Sequence, residues 1–392
     1  MEPTAAASPA TSSAEREPAT RATSFELSII IPTYNEAENL PELLRRIGRV
    51  VTEQSIPCEV LVMDDCSPDG TAQVGRQVDV PIPVRVVERV GPRGLSPAVI
   101  DGTGLARGKY VMVMDADLQH PPESLVDLLS AVRGGADFVI GSRYVPGGVS
   151  NEFGLYRKLN SRVATLLAAP LVGRKVRDPM AGFFCFRREL TAQQDFSPVG
   201  YKIGLEILTK CRPKKVAEVP IRFGSRHAGR SKMNLSQQID YLRHLRRLYG
   251  WRWPTASQAA LFCAVGTAGM VVDLAIMTLF VQSGTAFPVA RVISIFSAML
   301  FNFLLNRRIT FPDAVRGNCE SQLAKFIGVC CLGMCINWSV SNSLYVLIPS
   351  LRWAYQLFCV AGIAAGTVSN FLLSKYVAFR VPGGAGQTRP SA

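Results

Sequence analysis

The sequence predicts an α/β domain built on a mostly parallel sheet, followed by an all-α membrane domain of four transmembrane helices. Three observations carry that expectation. Apolar runs at Leu27-Ser28-Ile29-Ile30-Ile31, Val60-Leu61-Val62-Met63 and Val111-Met112-Val113-Met114 have the length and composition of buried strands. Each run leads directly into a polar or acidic cluster. From Ala259 onward, four long apolar stretches follow one another, at 259–281, 286–305, 323–348 and 355–373.

The first strand runs into Pro32-Thr33-Tyr34-Asn35-Glu36, the second into Asp64-Asp65 and the third into Asp115-Ala116-Asp117. In an open parallel sheet the ligand site lies beyond the carboxyl ends of the strands, so the three clusters should converge on one crevice. Strand alternation would send Asp115 and Asp117 to the same side, where both reach one hard cation or the phosphates bound to it. The ligand expected there is a nucleotide with its diphosphate. No G-x-G-x-x-G follows the first strand, which argues against a dinucleotide enzyme.

The chain has 392 residues, is 48% hydrophobic and carries a formal charge of +13. The apolar stretches are each close to the roughly 20 residues that cross a bilayer. Residues 1–24 are rich in Ala, Ser, Thr, Pro and Glu without an apolar run, and read as a disordered tail rather than a signal peptide. Ten cysteines show no paired C-x-x-C spacing, which favours free thiols in a reducing compartment and no zinc site. Arg307, Arg308 and Arg316 lie between the second and third stretches, and Lys375 and Arg380 after the fourth. By the positive-inside rule, the α/β domain and both termini are cytoplasmic at a multi-pass cell membrane. Residues 235–257 interleave Arg243, Arg246, Arg247 and Arg252 with Leu242, Leu245, Leu248, Tyr249, Trp251 and Trp253, as an amphipathic helix at headgroup level does. Adjacency to a span favours the bilayer as partner over nucleic acid.

The membrane half repeats itself. Gln258-Ala259-Ala260-Leu261-Phe262 is echoed by Gln322-Leu323-Ala324-Lys325-Phe326, and Asn302-Phe303-Leu304-Leu305 by Asn370-Phe371-Leu372-Leu373, with Phe311 and Phe379 following at one offset. This is the pattern of a duplicated two-helix hairpin, and residues 258–379 resemble the GtrA-like family of four-span proteins. Asp273 and Arg291 fall inside spans at similar depth, where an ion pair between them would offset the cost of charge in the bilayer, handling of a lipid phosphate being the alternative.

In the first half, Pro32-Thr33-Tyr34-Asn35-Glu36, Asp64-Asp65-Cys66-Ser67-Pro68-Asp69-Gly70-Thr71 and Asp115-Ala116-Asp117-Leu118-Gln119-His120-Pro121-Pro122 together resemble the inverting GT-A glycosyltransferases of family 2. More narrowly they are similar to dolichyl or polyprenyl phosphate mannose synthases. That resemblance implies a Rossmann-like GT-A domain, GDP-mannose as donor, a polyprenyl phosphate lipid as acceptor and Mg²⁺ or Mn²⁺ as cofactor. Pro32, Tyr34, Glu36, Met63 (through its backbone) and Asp65 would hold the nucleoside. Asp115, Asp117 and Gln119 would bind the metal and, with Ala116, the donor diphosphate. Arg143, in Gly141-Ser142-Arg143-Tyr144, matches the arginine that binds the acceptor phosphate, and Arg226 and Lys232 match a basic loop over the donor phosphates. Asp117, Arg143 and Arg226 would be the catalytic set. The stretch from Asp178 to Phe184 would shape the sugar and acceptor end, with Lys202 and Glu206 as weaker candidates there. Asp64 is either an acidic turn residue or a direct contact, and His120 an anchor for its loop rather than a metal ligand.

A lipid phosphate is already an anion, so such a transfer needs no strong general base. UDP-glucose in place of GDP-mannose is the nearest alternative donor, and a lipid-sugar translocating membrane module is another. A processive polysaccharide synthase is disfavoured because its Q-x-x-R-W signature is missing. The reading admits a homo-oligomer. It divides the chain into a tail at 1–24, the α/β domain at 25–234, the interfacial segment at 235–257, the membrane domain at 258–381 and a second tail at 382–392.

Overall fold

The computed structural model describes residues 25–150, 155–173, 176–197, 200–224, 235–350 and 355–380. The chain divides into two compact units at Leu248 and Tyr249. In the first, the three runs predicted to be strands are β1 (Leu27–Thr33), β2 (Cys58–Asp64) and β4 (Tyr110–Val113), with β3 (Val84–Glu88) between the last two in sequence. The later strands are β5 (Phe138–Ser142), β6 (Val149–Ser150), β7 (Phe184–Arg187), β8 (Val216–Pro220) and β9 (Arg222–Phe223).

Seven of these strands form one sheet in the order β3-β2-β1-β4-β7-β5-β8, and β6 pairs with β9 beside it. Within the seven-stranded sheet only β7 runs antiparallel, against both β4 and β5. β1 is hydrogen-bonded to β2 on one side and β4 on the other, so the carboxyl ends of all three open at the same edge. Nearly every residue of β1, β2, β4 and β5 is buried, which is why these strands read as continuous apolar runs rather than as alternation.

Helices cover both faces. On one, α1 (Leu40–Glu53) and α4 (Leu125–Arg133) contribute Leu40, Leu43, Leu44, Ile47, Leu125 and Leu128 to a core with Ile29, Ile31, Val60 and Val62. On the other, α3 (Leu95–Leu105) and α6 (Ile203–Cys211) pack Ala98, Val99, Ile203 and Ile207 against Ile30, Leu61, Val113 and Phe184. The remaining helices of this part are α2 (Thr71–Gln77), α5 (Leu155–Val172) and α7 (Leu235–Arg252). Tyr241 of α7 donates its hydroxyl to the Ala164 carbonyl of α5 at 2.7 Å. One side of α7 buries His244, Leu245 and Leu248, while Leu242 and Arg243 are exposed.

The second unit is helical: α8 (Pro254–Gln282), α9 (Phe287–Leu305), α10 (Cys319–Leu347) and α11 (Tyr355–Leu373). Among the described residues three helices are long and apolar enough to cross a membrane: α8, α9 with its continuation to Thr310, and α10. The fourth expected span, at 355–373, coincides with α11. That helix is 19 residues long, as α9 is, and like α9 it continues into a further helical turn.

The sequence repeat takes a physical form here. α9 and α11 each end in a π-helical turn, Asn306–Thr310 and Ser374–Ala378. The Phe303 ring lies 5.7 Å from Phe326, and its counterpart Phe371 lies 5.7 Å from Phe262. Phe303 also meets Phe379 at 5.7 Å, Phe371 meets Phe311 at 6.3 Å, and Phe311 and Phe379 meet each other at 5.1 Å. The two hairpins thus exchange equivalent aromatic contacts about a pseudo-twofold axis. The side chain of Arg291 lies outside the described residues, so the pairing expected with Asp273 does too.

Candidate active site

Three loops follow β1, β2 and β4, and each holds one non-glycine residue in the left-handed region: Asn35 (φ 59°), Cys66 (φ 54°) and Leu118 (φ 60°). Such backbone costs energy and persists where surrounding contacts enforce it. Those contacts are visible. Asp64, fully buried at the end of β2, accepts from the Thr33 hydroxyl at 2.9 Å and from the Ser67 hydroxyl and backbone N–H at 2.6 and 2.8 Å. Ser67 Oγ, Thr71 Oγ1 and Asp69 accept the backbone N–H groups of Asn35, Glu36 and Ala37 in turn. Asp64 is therefore the structural turn residue of its two readings, tying the β2 loop to the β1 loop.

Around that tie stand the residues expected to hold the nucleoside. Pro32 and Thr33 are in register with Met63 and Asp64. The Met63 side chain is in the core, so only its backbone borders the crevice. Tyr34 is 37% exposed. Glu36 accepts from the Asn39 carboxamide at 2.7 Å. Asp65 is nearly buried; one oxygen pairs with Arg89 and the other accepts the Gly94 N–H at 2.6 Å.

The second cluster differs from expectation in one respect. β4 ends at Val113, so Asp115 and Asp117 stand in the loop beyond it and strand alternation does not place them. His120 organises that loop instead. Its ring is buried, stacks on Phe183 at 5.3 Å, and accepts from the Asp115 N–H at a long 3.4 Å, with Asp115 Oδ2 3.7 Å from Nδ1. Burial pushes its pKa down to about 4 against the opposing pull of Asp117, so the imidazole is neutral at pH 7 and serves as the anchor. Gln119 donates its side-chain amide to the Gly224 carbonyl at 3.3 Å, and its backbone N–H to Asp117 Oδ1 at 3.2 Å.

Arg143 follows β5 and forks onto the buried Asp178, Nε and Nη2 each 2.9 Å from a carboxylate oxygen. The rings of Tyr144 and Phe223 flank it at 5.4 and 5.2 Å. Burial opposes its charge, but the hydrogen bonds and charge of Asp178 outweigh that and raise its pKa above the ordinary arginine value. Lys202, at the start of α6, donates to the Met180 carbonyl at 2.9 Å. Burial, reinforced by the Arg143 charge, lowers its pKa to about 8 against the pull of Asp115 and Asp178. Asp115, Arg143, Asp178 and Lys202 thus form one electrostatic group at the carboxyl edge of the sheet. Glu206 is not part of it: it faces away along α6, pairing with Lys210 at 2.7 Å and bordering His244. Arg226 and Lys232 lie outside the described residues.

The glycosyl transferase family 2 model matches residues 28–193, and the GtrA/DPMS transmembrane domain model matches residues 261–379. A dolichol-phosphate mannosyltransferase of Pyrococcus furiosus is 38% identical over 356 residues, 90% of this chain and 99% of that protein. This chain belongs to the dolichol-phosphate mannosyltransferase family. The Saccharomyces cerevisiae dolichol-phosphate mannosyltransferase is 37% identical over 59% of this chain and 89% of its own length. The polyprenol monophosphomannose synthase of Mycolicibacterium smegmatis is 39% identical over 56% and 86%. The chain is accordingly a glycosyltransferase with a GT-A-like sheet and a membrane domain.

The residues at the family's metal position fit a hard divalent ion. Asp115 and Asp117 supply carboxylates and Gln119 a carboxamide, a donor set that suits Mg²⁺ or Mn²⁺ completed by substrate oxygens. A Cβ at Gly182 would stand 2.6 Å from Asp115 Oδ2, so only glycine lets the 178–182 loop lie against that carboxylate. Among the described residues no three His, Cys, Asp or Glu side chains cluster at metal-binding distance. Sequence reasoning missed Asp178 as the partner of Arg143 and Phe183 as the partner of His120, and it passed over Phe223 and Arg89 altogether. All four act through contacts between distant segments, which leave no local signature.

Proposed function

We propose that the chain transfers mannose from GDP-mannose to the phosphate of a polyprenyl lipid, with inversion, to give a polyprenyl phosphate β-mannose. The observation that carries this is the group formed by Asp115, Arg143, Asp178 and Lys202, which sets partly buried cations near the carboxylate expected to border a diphosphate. Mannose and a lipid phosphate are what the names of the related proteins supply.

In this reading Pro32, Tyr34, Glu36 and the Met63 backbone receive the nucleoside, with Asp65 fixing the loop beside it, while Asp115, Ala116, Asp117 and Gln119 border the diphosphate. A bound Mg²⁺ or Mn²⁺ would offset charge on the departing diphosphate. Arg143, oriented by Asp178, receives the acceptor phosphate. An oxygen of that phosphate forms a bond to the anomeric carbon as the bond to the nucleoside diphosphate breaks on the opposite face, and GDP leaves with the electron pair. No proton need be removed from the nucleophile, so positioning and electrostatics carry the rate. Arg226 and Lys232 would close over the donor phosphates. The exposed Leu242 and Arg243 side of α7 would rest at the headgroups, with the catalytic unit cytoplasmic.

Membranes containing the protein, given labelled GDP-mannose or UDP-glucose together with polyprenyl phosphate, should yield an acid-labile mannolipid. A glucolipid in its place would assign the donor to UDP-glucose.

A further inference from the structure

We propose that Arg93 closes over the donor's nucleobase opposite Tyr34, and that Asp65 acts by holding the loop that carries it. The inference rests on the nucleotide-sugar reading above. Arg93 lies between β3 and α3, and its guanidinium carbon is 5.7 Å from the centroid of the Tyr34 ring, within cation–π range. Tyr34 presents its half-exposed ring just beyond β1, where a flat apolar wall suits a base.

The backbone on both sides of Arg93 is fixed. The Pro92 carbonyl accepts from Arg89 Nη2 at 3.3 Å, and the Gly94 N–H donates to Asp65 Oδ2 at 2.6 Å. Arg89 is itself buried, paired with Asp65 Oδ1 and forked onto Asp101 at 2.9 and 2.8 Å. Gly94 has φ 135°, a conformation that side-chain-bearing residues rarely adopt, and it turns the chain directly into α3. Yet Val90 is fully exposed and Arg93 is exposed. A loop this well anchored around an exposed arginine fixes the root of the side chain and leaves its tip mobile.

A spacing of 5.7 Å is too small to admit a third planar group, so the guanidinium lifts as the base enters and then lies on its far face. Arginine suits that motion because its planar, weakly hydrated head stacks on aromatic faces, which a lysine ammonium does not. Both oxygens of Asp65 are engaged in holding this loop, which makes Asp65 a positioning residue for Arg93. Asp115 and Arg143 follow β4 and β5, whereas Arg93 serves the β1 and β2 side of the site.

Calorimetric titration of the full-length protein with GDP and, separately, with pyrophosphate tests this. Arg93→Ala should weaken GDP about fivefold to tenfold and leave pyrophosphate unchanged, and Arg93→Lys should not restore the loss. Asp65→Asn should weaken GDP as well, and adding Arg93→Ala to it should cost less than Arg93→Ala alone, because both changes act through one side chain. Unchanged GDP affinity in Arg93→Ala, or a parallel loss of pyrophosphate that Lys repairs, would overturn the base contact. Full additivity would overturn the positioning role of Asp65. A wild-type protein that binds UDP and not GDP would refute the donor reading alone, and the Arg93 series would then be read with UDP.

Discussion

The two units of this chain obey one burial rule in opposite solvents. In the first, apolar strands fill the core, and buried polar groups are tied to one another: Asp64 to Thr33 and Ser67, Arg143 to Asp178, Arg89 to Asp65 and Asp101. In the second, Leu274, Phe296, Trp338 and Leu347 are exposed large side chains on the helices, while the buried interior is a phenylalanine cluster and close glycine contacts. A bilayer takes outward apolar groups at no cost, so helices there gain by packing closely rather than by hiding hydrocarbon. The consequence is a division of sensitivity: charge changes should be felt most in the first unit and added volume most in the second.

The sharpest break of that division is Asp117→Ala. Transfer of labelled mannose should fall by a factor on the order of 10² to 10³, as when a group stabilising transition-state charge is lost. Removing divalent metal with a chelator should reproduce the defect. Thermal unfolding should barely move, because Asp117 stands in a loop outside the core. Near-normal turnover at saturating metal would sink the metal assignment.

Asp178→Ala should be felt in stability as well. It leaves the Arg143 guanidinium buried without its carboxylate, and breaking a buried pair on one side costs about 3–5 kcal/mol. Denaturant titration measures this, and an unchanged midpoint would show that water reaches Arg143 freely. Its counterpart, Arg143→Ala, should lose about 1.5–3 kcal/mol of acceptor binding, the range for a hydrogen bond to a charged group. A rise in the KM for donor with that for acceptor unchanged would place the two substrates the other way round.

The smaller effects belong to the membrane unit. A Cβ at Gly269 would collide with the Asn302 carboxamide, and one at Gly333 with that of Asn370. Gly269→Ala and Gly333→Ala should each destabilise by about 1–3 kcal/mol, the range for overpacking, and leave GDP affinity unchanged. Thermal unfolding in detergent compares the two. Unequal losses would show that the pseudo-twofold equivalence of the hairpins is one of shape and not of energy.

By itself the sequence determined what periodicity and repetition can express. Strand-length apolar runs gave β1, β2 and β4, the polar clusters behind them fall at the carboxyl edge of the sheet, and the spacing of Gln258, Asn302 and Phe311 against Gln322, Asn370 and Phe379 gave the duplicated hairpin. These signals are local, because solvent imposes them on each segment separately. Tertiary structure decided the partnerships. Whether Asp64 meets a ligand or a turn depends on Thr33, 31 residues away. Arg143 owes its orientation to Asp178, 35 residues on, and Arg89 is held by Asp65 across 24. Even of the carboxylates read most readily from the sequence, Asp115 meets the buried His120 ring and Gly182, and Asp117 accepts the Gln119 N–H, both in a loop rather than a strand. Pairings of this kind follow from the order of strands in the sheet, and no stretch of chain carries that order alone, because it is set by the burial of all the strands together.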